Sequence, residues 1–231
     1  DSSALILIRD GKSSLEYEIN TNQWLNTGDL TFSLVSKSEN NVILRLYFSA
    51  HSYIEAVYSL AEESYMVDYN LRFVNMDGIL DRRTTQVRLH WNADMPHLEK
   101  GYKNEKNYSA IAFRFSGTND VKNLGMRKDS AKESFSANLR WFGFRQQFFS
   151  AILVAENNFV GGTLENKFYA EDVAISSGDL MRSSAEMVLD LDTQSKDFSL
   201  PFKFYFGPNH YPTLKSYDEG FEKIIPLGGK L

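Results

Sequence analysis

Four histidines, His51, His90, His97 and His210, are the residues best suited to proton transfer or metal ligation. No two of them stand three or four residues apart, the spacing that would place both on one helix face. The chain has no cysteine, which removes disulfides, thiolate metal sites and a cysteine nucleophile. It does not fix the compartment, although a thiol-free chain suits an oxidising one. Surface or partly buried histidines are therefore the expected reading, with no metal and no cofactor. The chain contains no glycine-rich phosphate loop, neither a Walker sequence nor G-x-G-x-x-G, and no G-x-S-x-G nucleophile elbow. Asn107-Tyr108-Ser109 fits the glycosylation sequon, a three-residue pattern that carries little weight alone. Asp81-Arg82-Arg83 and Arg127-Lys128-Asp129 read as solvated turn ends.

Aromatic side chains are the richer resource, with 17 Phe, 12 Tyr and 3 Trp. The densest group is Trp141, Phe142, Phe144, Phe148 and Phe149. Its first reading is the core of a sandwich. The alternative is a groove, lined by Trp141, Phe142 and Phe144, that holds an extended apolar peptide.

Charge narrows the partners. A net charge of -5 and a pI near 5.5 argue against nucleic-acid binding, which calls for a basic patch. They also disfavour electrostatic adhesion to an anionic membrane surface. The longest apolar runs, Ala4-Leu5-Ile6-Leu7-Ile8 and Ala151-Ile152-Leu153-Val154-Ala155, fall far short of the about 20 residues a spanning helix needs. No signal peptide is visible.

The elements that must position these side chains alternate with period two, the mark of half-buried strands. Leu15, Tyr17 and Ile19 show it. So do Leu30, Phe32 and Leu34; Ile54 to Leu60; Val67 to Phe73; Val87 to Trp91; Ile111 to Phe115; and Met187 to Leu191. The unbroken runs Val42 to Phe48 and Phe148 to Val154 predict central strands buried on both faces. Asp10-Gly11, Thr27-Gly28-Asp29, Glu39-Asn40-Asn41, Met76-Asp77-Gly78, Ser116 to Asn119, Gly161-Gly162 and Ser177-Gly178-Asp179 read as turns. Asp94 to Ser109 reads as an exposed connection. Together these predict one all-β unit over 1–231, a single large antiparallel sandwich.

Helical periodicity enters at the end. Phe202, Phe204 and Phe206 share one face of a strand that runs into Gly207-Pro208. Leu214, Tyr217, Phe221, Ile224 and Ile225 then follow the three-and-four spacing of an amphipathic helix. Pro212 suits a first turn, and Pro226 with Gly228 suits an end. A glycine inside a helix costs roughly 1 kcal/mol relative to alanine, so Gly220 predicts two short helices with a bend.

Two stretches resemble one family. The strand, Gly207-Pro208, Leu214, Tyr217-Asp218, Gly220 and Pro226-Leu227-Gly228 are similar to the exit of the large periplasmic domain of bacterial YidC-type membrane protein insertases. Trp141 to Ala151 resembles that family's strand of Trp followed by Gln-(Gln/Lys)-Tyr/Phe-Phe. The resemblance implies a β-supersandwich over 1–206, similar to galactose mutarotases, and short C-terminal amphipathic helices over 207–228 leading toward the membrane. It implies a non-enzymatic domain at the periplasmic face of the inner membrane, cut from a longer protein. Nascent inner-membrane proteins, the Sec translocon with its accessory subunits, and the protein's own transmembrane bundle would be its partners, with no small-molecule substrate. Leu214, Tyr217, Phe221, Ile224 and Ile225 would form the membrane-proximal or partner surface. The fold analogy also offers a second class of function, a carbohydrate-binding or aldose-epimerase-like protein. There Glu99 as base and His90 or His97 as acid would flank a sugar.

Overall fold

The computed structural model describes residues 6–81, 83–193 and 195–225. Arg82, Ala4-Leu5 and the expected helix end at Pro226 and Gly228 lie outside them.

In chain order the strands are β1 (Ser13–Asn20), β2 (Trp24–Asn26), β3 (Ser33–Lys37), β4 (Asn41–Tyr47), β5 (Tyr53–Leu60), β6 (Met66–Val74), β7 (Gln86–Pro96), β8 (Ala110–Phe115), β9 (Lys122–Leu124), β10 (Ser130–Phe135), β11 (Leu139–Arg145), β12 (Phe149–Phe159), β13 (Gly161–Phe168), β14 (Asp179–Asp190) and β15 (Phe198–Pro208). The helices are α1 (Tyr102–Tyr108), α2 (Glu171–Ser177) and α3 (Tyr211–Ser216), followed by a 3-10 turn at Phe221–Ile224. A six-stranded sheet runs β10-β13-β14-β7-β1-β2. A nine-stranded sheet runs β3-β4-β5-β6-β15-β12-β11-β8-β9. The expected antiparallel sandwich is what forms.

The alternating side chains meet between the sheets. Tyr17, Ile19, Tyr69, Leu71, Phe73, Leu89 and Trp91 pack there with Phe202 and Phe204. Trp91 sets its ring, tilted, 4.5 Å from Phe144 and meets Phe204 in a T-shaped contact at 5.5 Å. Tyr17 donates its hydroxyl proton to, or accepts one from, Tyr69 across the sheets at 2.9 Å, so these two buried hydroxyls are satisfied.

Four expectations change. Val42 to Phe48 is not a central strand. β4 lies one strand from the edge of its sheet and is mostly half-exposed, with Leu46 alone of its residues buried in the core. Leu30 and Phe32 precede β3, which is exposed along its length. Asp94 to Ser109 is not a simple loop. It completes β7 and then forms α1, with Tyr102 and Glu105 buried. Gly161-Gly162 opens β13 instead of turning. Glycine is needed there because a Cβ on Gly162 would stand 2.4 Å from the Glu186 carbonyl oxygen.

Asp179, at the start of β14, anchors the segment before β1. Its carboxylate accepts from Arg9 and from Lys12, the latter at 2.8 Å. Burial raises the Asp179 pKa, but Lys12 and Arg9 outweigh it, and the net shift is downward. A lowered folded value means stability that is present above the ordinary carboxylate range and is lost as pH falls through the folded value. Asp179→Asn is expected to cost about 1 kcal/mol at neutral pH, since both cations are partly solvated. Urea midpoints of the two proteins should converge as pH falls below the ordinary carboxylate range and through the lowered folded value. A gap independent of pH would contradict the ion-pair account.

Candidate functional site

The C-terminal segment is built by a change of face. Along β15, Phe202 and Phe204 point into the sandwich, while Tyr205 points outward into a second, smaller core. After Pro208 the chain enters α3 with Pro212 in its first turn, where a missing N–H costs nothing. Asp218 and Gly220 then take left-handed backbone conformations, with φ of 56° and 73°. That reverses the chain into the 3-10 turn. Gly220 is therefore a hinge residue in a conformation that suits glycine, not a weak point inside a helix.

The segment lies flat on the outer face of the nine-stranded sheet. Leu214, Phe221 and Ile224 are fully buried against Ala112, Trp141, Ile152, Val154 and Tyr205, with Tyr217 and Ile225 half-buried at the margin. Trp141 is the keystone. Its ring meets Phe221 edge-on at 5.3 Å, and its Nε1–H donates to the Glu219 carbonyl at 2.9 Å. The Glu219 carboxylate accepts from Arg140 Nη2 at 2.5 Å and Nε at 3.1 Å, and from Arg114 at 3.2 Å. The Tyr217 hydroxyl accepts from the Tyr65 N–H at 3.2 Å. Lys223 donates to the Asn119 carbonyl at 2.7 Å.

Arg145 closes the far end of this dock. It is 2% exposed. It donates to the Tyr108 carbonyl at 2.9 Å, to Asn123 Oδ1 at 2.9 Å and to the Ile224 carbonyl at 2.6 Å. Burial draws its pKa down to about 10, which still leaves it cationic at neutral pH. Beside it opens a cleft of about 360 Å³ bordered by Asn104, Tyr108, Gln147, Phe148 and Ile225.

The predicted site residues thus have mixed fates. Leu214, Phe221 and Ile224 are together, but as the buried underside of the segment. Its exposed side carries Tyr211, Lys215, Asp218 and Lys223. Trp141, Phe142 and Phe144 are all 0% exposed and lie on opposite faces of β11. They fill two cores and border no open groove. The sequence reading missed Glu219, Arg114, Arg140 and Arg145. Arginines inside otherwise apolar strands, at 114, 140 and 145, were the signal.

The histidines are dispersed. The His97 Nδ1 pairs with Glu105 of α1, whose other oxygen accepts from the Leu98 N–H at 3.0 Å. His90 faces Glu18 at 3.6 Å. Among the described residues no hydrogen bond or ion pair joins Glu99 to either histidine, and no cluster of His, Asp and Glu could hold a metal ion. No helix of the described residues is long and apolar enough to cross a membrane.

The model of one family, the YidC periplasmic domain, matches residues 6–230. The chain belongs to that family. The membrane protein insertase YidC of Bacteroides fragilis is 33% identical over 224 residues, covering 96% of this chain and 35% of that protein. Its counterpart in Parabacteroides distasonis is 32% identical over 236 residues, 97% of this chain and 36% of that one. This chain of the YidC periplasmic domain family therefore spans about a third of the length of these curated relatives. Among solved structures, an aldose 1-epimerase-like protein of Escherichia coli K12 aligns with a TM-score of 0.50 at 10% identity, covering 87% of this chain and 89% of that one. That likeness shows the fold alone: the YidC periplasmic domain here has the galactose-mutarotase-like sandwich expected from the sequence.

Proposed function

We propose that this chain is the periplasmic part of a membrane protein insertase, standing as one unit on the periplasmic face of a bacterial inner membrane and acting by contact. The family match over residues 6–230 carries this reading. Insertion itself is thermodynamic: a polar, partly hydrated path lowers the cost of moving charged groups across hydrocarbon. In this reading the path belongs to a transmembrane bundle outside this chain. Nascent inner-membrane proteins are the clients, and the Sec translocon with its accessory subunits is the co-worker.

The chain's own contribution is a stiff body with a latched C-terminal segment. Because Leu214, Phe221 and Ile224 are spent on docking, the contact surface is the opposite side of that segment, at Tyr211, Lys215, Asp218 and Lys223. No covalent chemistry is assigned. Of the two histidines that could have served a sugar, His97 is engaged by Glu105, and no hydrogen bond or ion pair among the described residues joins either to Glu99.

A photo-crosslinker at Lys215 in the full-length protein tests the reading, with Trp24, exposed on β2, as the control position. Adducts to nascent membrane proteins or translocon subunits should form from Lys215 and not from Trp24. Equal yields from both positions, or aldose epimerase activity of the purified chain, would overturn it.

A further inference from the structure

Half of the exposed large hydrophobic side chains among the described residues gather at one end of the sandwich. This end comprises the segment before β1, the turn before β6, α1, the β11–β12 turn, α2 and the exit of β15. Hydrogen bonds tie these pieces into one surface. Gln146 donates to the Pro96 carbonyl at 2.5 Å. The His97 N–H donates to Gly178, the Phe206 N–H to Tyr65 and the Asn209 N–H to Phe148, at 2.7 to 3.0 Å. On that surface Ile6, Tyr65, Tyr108, Phe148, Ile175 and Tyr211 are between 39% and 65% exposed. Trp24 and Tyr47 lie toward the opposite turns. Single exposed apolar residues need no explanation, but a cluster at one end does.

The first and last described residues, Ile6 and Ile225, lie at this same end. Ile6, Leu7 and Ile8 line an apolar cleft with Tyr65, Phe149 and Pro208, and Ile225 lines the neighbouring cleft with Tyr108 and Phe148. The family's domain runs from residue 6 to 230, and its relatives named membrane protein insertases are about three times as long.

We propose that this end rests on the bilayer, with Phe148 and Ile175 reaching the edge of the hydrocarbon and Tyr65, Tyr108 and Tyr211 at the level of the lipid head groups. Tyrosine suits that depth because its ring is apolar and its hydroxyl is wet. With a net charge of -5, the attraction is apolar and addressed to zwitterionic lipid, not to an anionic surface. The proposal rests on the insertase reading and adds to it a membrane-facing surface.

The absence of cysteine makes the test direct. A nitroxide is placed singly at Phe148→Cys, Ile175→Cys and, as control, His51→Cys in the exposed β4–β5 turn. The chain is held by a C-terminal histidine tag on phosphatidylcholine–phosphatidylethanolamine vesicles containing a nickel-chelating lipid. Collisions with oxygen are compared with collisions with chromium oxalate. Labels at 148 and 175 should show an oxygen-to-chromium ratio roughly threefold or more above that at 51, unchanged in about 0.5 M salt. Equal, aqueous ratios at all three positions would overturn the proposal. So would labels that stay aqueous on vesicles but become immobilised beside added translocon subunits, since the rim would then dock protein. Aqueous labels together with crosslinks from Lys215 would sink this inference and leave the insertase reading standing. Lipid-exposed labels without crosslinks would do the reverse.

Discussion

Trp141→Ala is expected to lower the unfolding free energy by about 4 kcal/mol and to release the C-terminal segment from the sheet. The ring is 0% exposed and sits between β11 and the 3-10 turn, touching Phe221. Truncation removes the transfer energy of an indole and leaves a cavity that the rigid strands β8 and β12 on either side cannot close. It also deletes the donor to the Glu219 carbonyl, worth about 1 kcal/mol. What then still holds residues 211–225 is the thinned burial of Leu214 and Ile224, the Arg145 bond to the Ile224 carbonyl, and the Glu219 pairing with Arg140 and Arg114, which is partly solvated and worth little alone. Limited trypsin digestion should cut at Lys215 and Lys223 well before global unfolding. Phe142→Ala supplies the contrast. Phe142 faces the inter-sheet core from the next position of the same strand. Its loss should cost about as much while leaving both lysines protected in the native state. If Trp141→Ala keeps the segment protected, the latch is held by something other than this ring.

That contrast marks where the sequence was legible and where it was not. Phe202, Phe204 and Phe206 announced their shared face by period-two alternation, and the structure puts Phe202 and Phe204 in the main core with Phe206 packed against it. The amphipathic spacing of Leu214, Phe221 and Ile224 was equally plain. What the spacing could not convey was the object being covered, because an apolar stripe looks the same whether it meets a partner or its own sheet. Strand β11 was harder still. A bulge between Leu139 and Trp141 breaks strict alternation, so Leu139 and Phe142 share the inner face while Trp141 goes outward. A dense run of aromatics therefore read as one group when it serves two cores. Helices α1 and α2 escaped notice because each is seven residues long and buries little: Tyr102 and Glu105 in one, Ala174 in the other. The run Val42 to Phe48 misled for the opposite reason. Composition records that residues are apolar, but only the sheet order records that β4 lies one strand from the edge of its sheet. The imagined pairing of Glu99 with a histidine failed because a shared fold fixes no side-chain partner. His97 is taken by Glu105, eight residues on, once α1 turns back.

Arg145 should separate two roles of buried charge. Its partners are the carbonyls of Tyr108 and Ile224, Asn123 Oδ1 and the sulfur of Met126 at 3.3 Å, with no carboxylate among them. A folded pKa pulled below that of a free arginine means the folded state binds the proton less tightly than the unfolded chain. Holding the charge inside therefore costs stability throughout the neutral range, and the cost eases only as pH rises above about 10. The fork offsets that cost by satisfying three backbone and side-chain acceptors, the Tyr108 and Ile224 carbonyls and Asn123 Oδ1. Arg145→Ala loses the fork and leaves a cavity, and is expected to cost about 3–5 kcal/mol. Arg145→Met keeps the length and removes the buried charge, so the loss should shrink to about 1–2 kcal/mol. Arg145→Lys retains the charge but cannot reach all the acceptors in one plane. Chemical denaturation should therefore rank the proteins as wild type, then Met, then Lys. A Lys variant more stable than the Met variant would mean that the positive charge itself is wanted there, and not the geometry that ties Ile224 to the end of β11. In the expected order, Arg145 is a clasp: it fixes the end of the C-terminal segment at the same face of the molecule where Phe148 and Tyr108 stand exposed, so loosening it should disturb that face before it disturbs the sandwich.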